Sequence, residues 1–203
     1  MSQLIVCRNS EGIVLAADSK AWSIDAGGQL AEARADRLIR LGDNSAILAG
    51  GAVEGVAMCE ALRNFISEEG LVDVEEIYSA ALAFLSGEYD RFMRKVCENI
   101  PVDPLHQMYF VLVGRDGSGA GRIYMLWTKK RLPQLDGDEI TRAYAAPRRM
   151  GLEYKLNELS RRDAPLDEIV AAVKKGMESV AGEEEVGGPF VYATVTADGL
   201  KLV

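Results

Sequence analysis

The chain opens on the apolar run Leu4-Ile5-Val6-Cys7, breaks at Asn9-Ser10-Glu11-Gly12, and resumes with Ile13-Val14-Leu15-Ala16-Ala17. Two β-rich runs around an Asn/Ser/Gly turn predict a hairpin over residues 3–8 and 13–17. A second hairpin is predicted from residues 37–41 and 45–49 about Gly42-Asp43-Asn44, with Ala26-Gly27-Gly28 marking a loop between the two. The period then changes. Met58, Ala61, Leu62 and Phe65 fall at helical spacing and predict a helix over residues 53–66. Tyr78, Ala81, Leu85, Tyr89, Phe92 and Val96 form the stripe of a longer one over 74–99, stopped by Pro101 and Pro104; Ala83 and Phe84 beside that stripe are candidate contacts with another chain.

Strand character returns over residues 107–114 and 121–127 around Asp116-Gly117-Ser118-Gly119, with a shorter strand over 141–146. The charged stretch 133–139 reads as a surface loop. Leu152, Leu156 and Leu159 mark a third helix, and Leu166, Ile169, Val170, Val173, Met177 and Val180 a fourth, with Asp163 as its N-cap and Pro165 in its first turn. Residues 190–196 and 200–203 close the chain as a hairpin. The order strands, two helices, strands, two helices, strands predicts an α+β fold: a four-layer αββα sandwich in which two antiparallel sheets lie between two helix layers. No repeat or linker interrupts the pattern, so residues 1–203 are expected to form one domain.

Composition removes several classes of function. Of 203 residues, 48% are hydrophobic and 27% charged, which supplies a packed core. The net charge of −8 argues against a nucleic-acid surface; Arg148-Arg149 and Arg161-Arg162 read as solvated helix ends. No apolar stretch approaches a membrane span, and the first residues do not form a secretory signal, so the expected location is cytoplasmic. Cys7, Cys59 and Cys97 are too widely spaced for a zinc pattern or a disulfide framework; Cys7 is expected to be buried in its strand. A single histidine, His106, leaves little basis for a Ser-His-Asp arrangement.

The opening residues, with Gly12-Ile13-Val14-Leu15-Ala16-Ala17-Asp18-Ser19, resemble the start of proteasome β-subunits and their bacterial and archaeal relatives, the N-terminal-nucleophile hydrolases. The resemblance implies that fold family, a Ser2 nucleophile exposed by removal of Met1, and Asp18 as the acid after the second strand. It also implies Arg37, in Arg37-Leu38-Ile39, at the position of the family lysine, and the Gly50 amide, in Ala49-Gly50, as oxyanion donor. Glu183 would stand for a late supporting aspartate. The chemistry is coherent: an N-terminal amine is the base for its own residue's hydroxyl, and a fixed cation nearby favours its neutral, proton-accepting form. No metal or organic cofactor is required.

Three departures stand beside this. Arginine cannot shuttle a proton as lysine can, Ala146-Pro147-Arg148-Arg149 replaces a Gly-Ser-Gly stretch, and Val186 falls where a serine is expected. Lys20 is a second cation near Asp18 in sequence, expected to point elsewhere. The expected activity is peptide hydrolysis by a homo-oligomeric ring or double ring. The alternatives are a subunit with a decayed site, acting in assembly or binding, and a small-molecule amidase.

Overall fold

A computed structural model describes residues 2–24, 30–97, 107–129, 134–184 and 186–203. Met1, the Ala26-Gly27-Gly28 loop, Asn99, Pro101, Pro104, His106 and Pro133 lie outside the described residues.

The first hairpin, β1 (Leu4–Arg8) and β2 (Gly12–Ala17), is apolar throughout because both its faces are covered. Ile5, Cys7, Val14 and Ala16 point one way, to helices α3 (Met150–Arg161) and α4 (Leu166–Val180); Leu4, Val6, Ile13 and Leu15 point the other way. The turn is held by Asn9 Oδ1, which accepts the N–H groups of Glu11 and Gly12, each at 3.0 Å. Around this hairpin a five-stranded antiparallel sheet forms in the order β10-β1-β2-β11-β12, with β10 at Ala143–Ala146, β11 at Val191–Thr196 and β12 at Gly199–Leu202.

A second antiparallel sheet runs β5-β6-β7-β8-β9, comprising Leu38–Arg40, Ser45–Gly51, Met108–Arg115, Gly121–Thr128 and Leu135–Glu139. Ala46, Leu48, Val111, Val113 and Met125 pack against the inner face of the first sheet. Ile47, Phe110, Leu112 and Leu126 pack against α1 (Glu54–Glu69) and α2 (Val74–Cys97). Leu62, Ile66, Ile77, Ala81 and Leu85 carry the two helix stripes into that cluster. Among the described residues, no helix is long and apolar enough to cross a membrane.

The expected four-layer sandwich of two sheets is not what the chain forms. The twelve strands of the described residues divide among three antiparallel sheets, accompanied by four helices. The extra sheet is the ribbon β3 (Lys20–Ile24) and β4 (Leu30–Arg34), whose strands pair only with each other, in the register Lys20↔Arg34 to Ile24↔Leu30. The sequence marks only the Ala26-Gly27-Gly28 connection, as a loop; the flanking strands, Lys-Ala-Trp-Ser-Ile and Leu-Ala-Glu-Ala-Arg, are short and mix apolar with charged positions, so neither announces itself. Residues 133–139 mislead in the same way: β9 reads Leu-Asp-Gly-Asp-Glu yet pairs with β8, taking its order from the neighbour's free edge.

Two smaller expectations also change. Asp163 does not cap α4, whose N-cap is Pro165; its carboxylate instead accepts the Ser10 N–H at 2.8 Å and the Ser10 hydroxyl at 2.6 Å, pinning the β1–β2 turn. Phe84 is not a free surface residue, since its ring stacks on Phe65 at 5.0 Å between centroids.

Candidate active site

The β1–β2 ladder continues one rung beyond both strands. Asp18 N–H donates to Gln3 O at 3.1 Å, so Asp18 lies opposite Gln3 and beside Ser2. Its Oδ1 accepts the Gln3 N–H at 3.1 Å, and its Oδ2 the Gly187 N–H at 3.4 Å. Arg37, just ahead of β5, brings its Nε to 3.5 Å from Asp18 Oδ1, with the two side chains 3% and 0% exposed. Arg37 is also fixed by donation from Nη1 to Ala49 O at 3.3 Å and from Nη2 to Lys20 O at 2.8 Å. Burial pushes the Asp18 carboxyl up and the Arg37 guanidinium down, and each opposes the other's shift by its charge.

Ser2 is buried at the meeting point of the two five-stranded sheets. Its Oγ accepts the Gly51 N–H at 2.9 Å and lies 3.1 Å from Tyr109 Oη, which donates to Ser2 O at 2.5 Å. Tyr109 has one hydroxyl proton, committed to that carbonyl, so the short Oγ–Oη contact uses the Ser2 proton and a Tyr109 lone pair. Burial pushes the Tyr109 hydroxyl up to about 12, which keeps it protonated at neutral pH.

The backbone explains why the amide is Gly51's rather than Gly50's. Ala49 N–H is bonded to Arg37 O on the β5 side, and strand N–H groups alternate sides. Gly51 N–H therefore points to the same side, past the start of β5, where Ser2 receives it. Gly50 serves by lacking a side chain. It pairs with Tyr109 across β6 and β7, and a Cβ there would lie 2.1 Å from Tyr109 Cε2. Gly51 has φ +82° and a Cβ would meet Gln107 O at 2.1 Å, so both positions require glycine.

Of the residues singled out from sequence, Ser2, Asp18, Arg37 and Gly50 come together in one connected cluster. Glu183 does not reach Ser2. It pairs with Arg149, which holds it below the usual carboxylate range and whose Nε donates to Gln3 Oε1 at 3.0 Å. Lys20 Nζ turns away to Glu32 at 3.5 Å, leaving only its carbonyl in the cluster. Val186 is buried and carries no polar group to Ser2. Sequence reasoning missed Tyr109, Gly51, Gln3 and Arg149. For Tyr109 the usable signal was a tyrosine entering an apolar strand, where a buried hydroxyl needs a partner.

Tyr109 separates Ser2 from a cavity of about 540 Å³ whose wall includes Met125, Trp127, Ile140, Tyr144 and Arg148. Among the described residues no group of three or more His, Cys, Asp or Glu could hold a metal ion. No protein-family model matches the chain, and no curated protein matches it significantly.

Proposed function

We propose that this chain hydrolyses amide bonds with Ser2 Oγ as nucleophile once Met1 is removed, in the manner of the proteasome-like hydrolases that its opening residues resemble. The observation that carries the proposal is the set of contacts on Ser2: an amide N–H 2.9 Å from Oγ, and Tyr109 holding both its hydroxyl and its carbonyl. A buried serine whose hydroxyl is aligned by one fixed donor, the Gly51 N–H, and one fixed acceptor, Tyr109 Oη, is arranged as reacting groups are.

The freed α-amine takes the Oγ proton and Oγ bonds to the substrate carbonyl carbon. Gly51 N–H, already at hydrogen-bond distance from Oγ, is within reach of the oxyanion formed on the adjoining carbon. The C–N bond breaks as the leaving amine receives the proton, and water then releases the acyl group from Ser2. Asp18 fixes the Ser2–Gln3 peptide through the Gln3 N–H, and Arg37 supplies a permanent positive charge behind it. Arg37 takes no part in proton transfer, since its two terminal nitrogens hold backbone carbonyls. Tyr109 is a positioning residue. The apolar and aromatic cavity beyond it suits a peptide with a bulky side chain.

The Arg37 anchorage favours one alternative, a noncatalytic relative in which the same cluster only ties the two sheets together. Hydrolysis of a fluorogenic peptide amide separates the two: processed protein should cleave it and Ser2→Ala should not. Absence of turnover on chains shown by mass to begin at Ser2 selects the noncatalytic reading. Assembly into a homo-oligomeric ring in the cytoplasm belongs to the same proposal. Met150 and Tyr154, 75% and 71% exposed and one turn apart on α3, are candidate contact residues, and light scattering tests the assembly.

A further inference from the structure

Alternation along β1 sends Leu4 and Val6 to the inner face between the two five-stranded sheets, with Ser2 on the same side, and Ile5 and Cys7 outward to α3 and α4. Gln3 continues the outward row and is wholly buried there. An apolar side chain would extend that row at no polar cost, whereas a buried amide must find partners for its N–H groups and its oxygen. Gln3 finds them. Nε2 donates to Leu4 O at 3.1 Å and to Pro147 O at 3.3 Å, and Oε1 accepts from Arg149 Nε at 3.0 Å. Its backbone N–H and carbonyl are both taken by Asp18. The residue that follows Ser2 is therefore fixed by β2 at its backbone and by the start of α3 at its side chain.

Arg149 is itself held from both ends. Its backbone N–H donates to Oε1 of buried Glu153 at 3.2 Å, and Glu153 N–H returns to Arg149 O at 2.8 Å. Its Nη2 pairs with Glu183. Val186 N–H donates to Glu183 O at 3.2 Å, and the next residue, Gly187, gives its N–H to Asp18 Oδ2 at 3.4 Å. A closed circuit results, from Gln3 through Arg149, Glu183, Val186 and Gly187 to Asp18, and back to Gln3. Apolar packing of α3 and α4 on β1 needs no such circuit. What directional bonds add is a single orientation of the Ser2–Gln3 peptide, and with it of Ser2 against the Gly51 amide.

We propose that Arg149 is a positioning residue, acting through Gln3 to hold Ser2 Oγ on the Gly51 amide. Its consequence for catalysis rests on the reading of Ser2 as the nucleophile; the alignment of Ser2 does not. Arg149 Nε carries the effect. Lysine could make the ion pair with Glu183, but it has a methylene where arginine has Nε, so Gln3 Oε1 would lose its donor.

The test compares the full-length parent, Arg149→Lys and Gln3→Met in two measurements. Amide hydrogen exchange followed by NMR reads the alignment. Gly51 N–H, which Ser2 Oγ accepts, should exchange severalfold to about tenfold faster in both variants, the worth of one weakened hydrogen bond. Ala49 N–H, in the same strand and bonded to Arg37 O, should exchange as in the parent. Acylation by a β-lactone, on chains that begin at Ser2, reads the reaction. Its maximal rate constant should fall about 10- to 10²-fold while the half-saturating lactone concentration stays near the parent's, because order at the nucleophile is lost and binding is not. A salt bridge that serves stability alone predicts instead that Arg149→Lys matches the parent in both measurements. Arg149 is half-buried, so Arg149→Lys decides the matter even if Gln3→Met fails to fold. The proposal is overturned if Gly51 exchanges in Arg149→Lys as in the parent, or if that variant equals a reactive parent in maximal acylation rate. A parent that takes no lactone refutes the nucleophile instead, and Gly51 exchange still decides the positioning.

Discussion

Removing the positive partner of the buried Asp18–Arg37 pair should destabilise the chain strongly, in a way that depends on pH. Arg37→Met keeps most of the side-chain volume but strips the cation from a carboxylate that is wholly buried. It also leaves Ala49 O and Lys20 O without their guanidinium donors. Breaking a buried pair from one side costs about 3–5 kcal/mol, because the remaining charge stays desolvated. The two N–H groups of Gln3 and Gly187 still serve Asp18, so the lower end of that range is expected. Burial already raises the Asp18 carboxyl, and loss of the cation that opposes this raises it further. The folded chain then binds a proton more tightly than the unfolded one, whose Asp titrates near ~3.9. Stability therefore falls as pH rises through the interval between the two values, by at most about 1.4 kcal/mol per pH unit. The cost of Arg37→Met should be largest near neutral pH and smaller in mild acid, where folded Asp18 takes up a proton. Urea denaturation of both proteins at pH ~7 and ~5 reads this directly. Asp18→Asn added to Arg37→Met removes the stranded charge and should recover about 1–3 kcal/mol at neutral pH. A loss below about 1 kcal/mol, an equal loss at both pH values, or simple additivity in the double variant would refute the reasoning.

Three further outcomes follow from the packing. Tyr109→Phe keeps the ring but drops both contacts to Ser2, and should slow acylation about 10²-fold in single-turnover kinetics, while the buried Ser2 carbonyl left without its donor costs about 1–3 kcal/mol in urea melts. Gly50→Ala places a methyl 2.1 Å from the Tyr109 ring, so the ring must move; a loss of about 1–3 kcal/mol in urea melts should accompany an acylation defect like that of Tyr109→Phe. Leu85→Ala, at a wholly buried position of α2 far from Ser2 in sequence, should cost about 2–5 kcal/mol by chemical denaturation and leave the adduct-forming site intact.

The strand and helix order was legible because most elements have a periodic apolar face, and β1 and β2 announce themselves by being apolar on both. The β3–β4 ribbon and β9 were not, since short segments that mix apolar and charged residues become strands only when a partner's register is known. The pairing of Gln3 with Asp18 was within reach of sequence: a hairpin about Asn9–Gly12 sets Leu4 against Ala17, and the next rung sets the pair that holds Ser2. Whether Gly50 or Gly51 turns its amide to Ser2 depends on which side of β6 each N–H faces, and adjacent glycines in a sequence carry no sign of that. Tyr109 is 107 residues from Ser2 and reaches it only because β7 lies beside β6. Glu183 misled because an acidic residue in a late loop looks alike whether it faces Ser2 or, as here, an arginine nearer the surface.

The central claim is that Ser2 Oγ is a nucleophile, and the most direct measurement is the intact mass of processed protein after exposure to a β-lactone. Chains whose mass shows loss of Met1 should gain one lactone mass, and peptide mapping should place it on Ser2. Acylation should weaken as pH falls below the α-amine's ordinary ~7.7–8.0, since the base must be neutral. Ser2→Ala prepared the same way should remain unmodified. An unmodified mass on fully processed protein, or an adduct that persists in Ser2→Ala, would contradict the account.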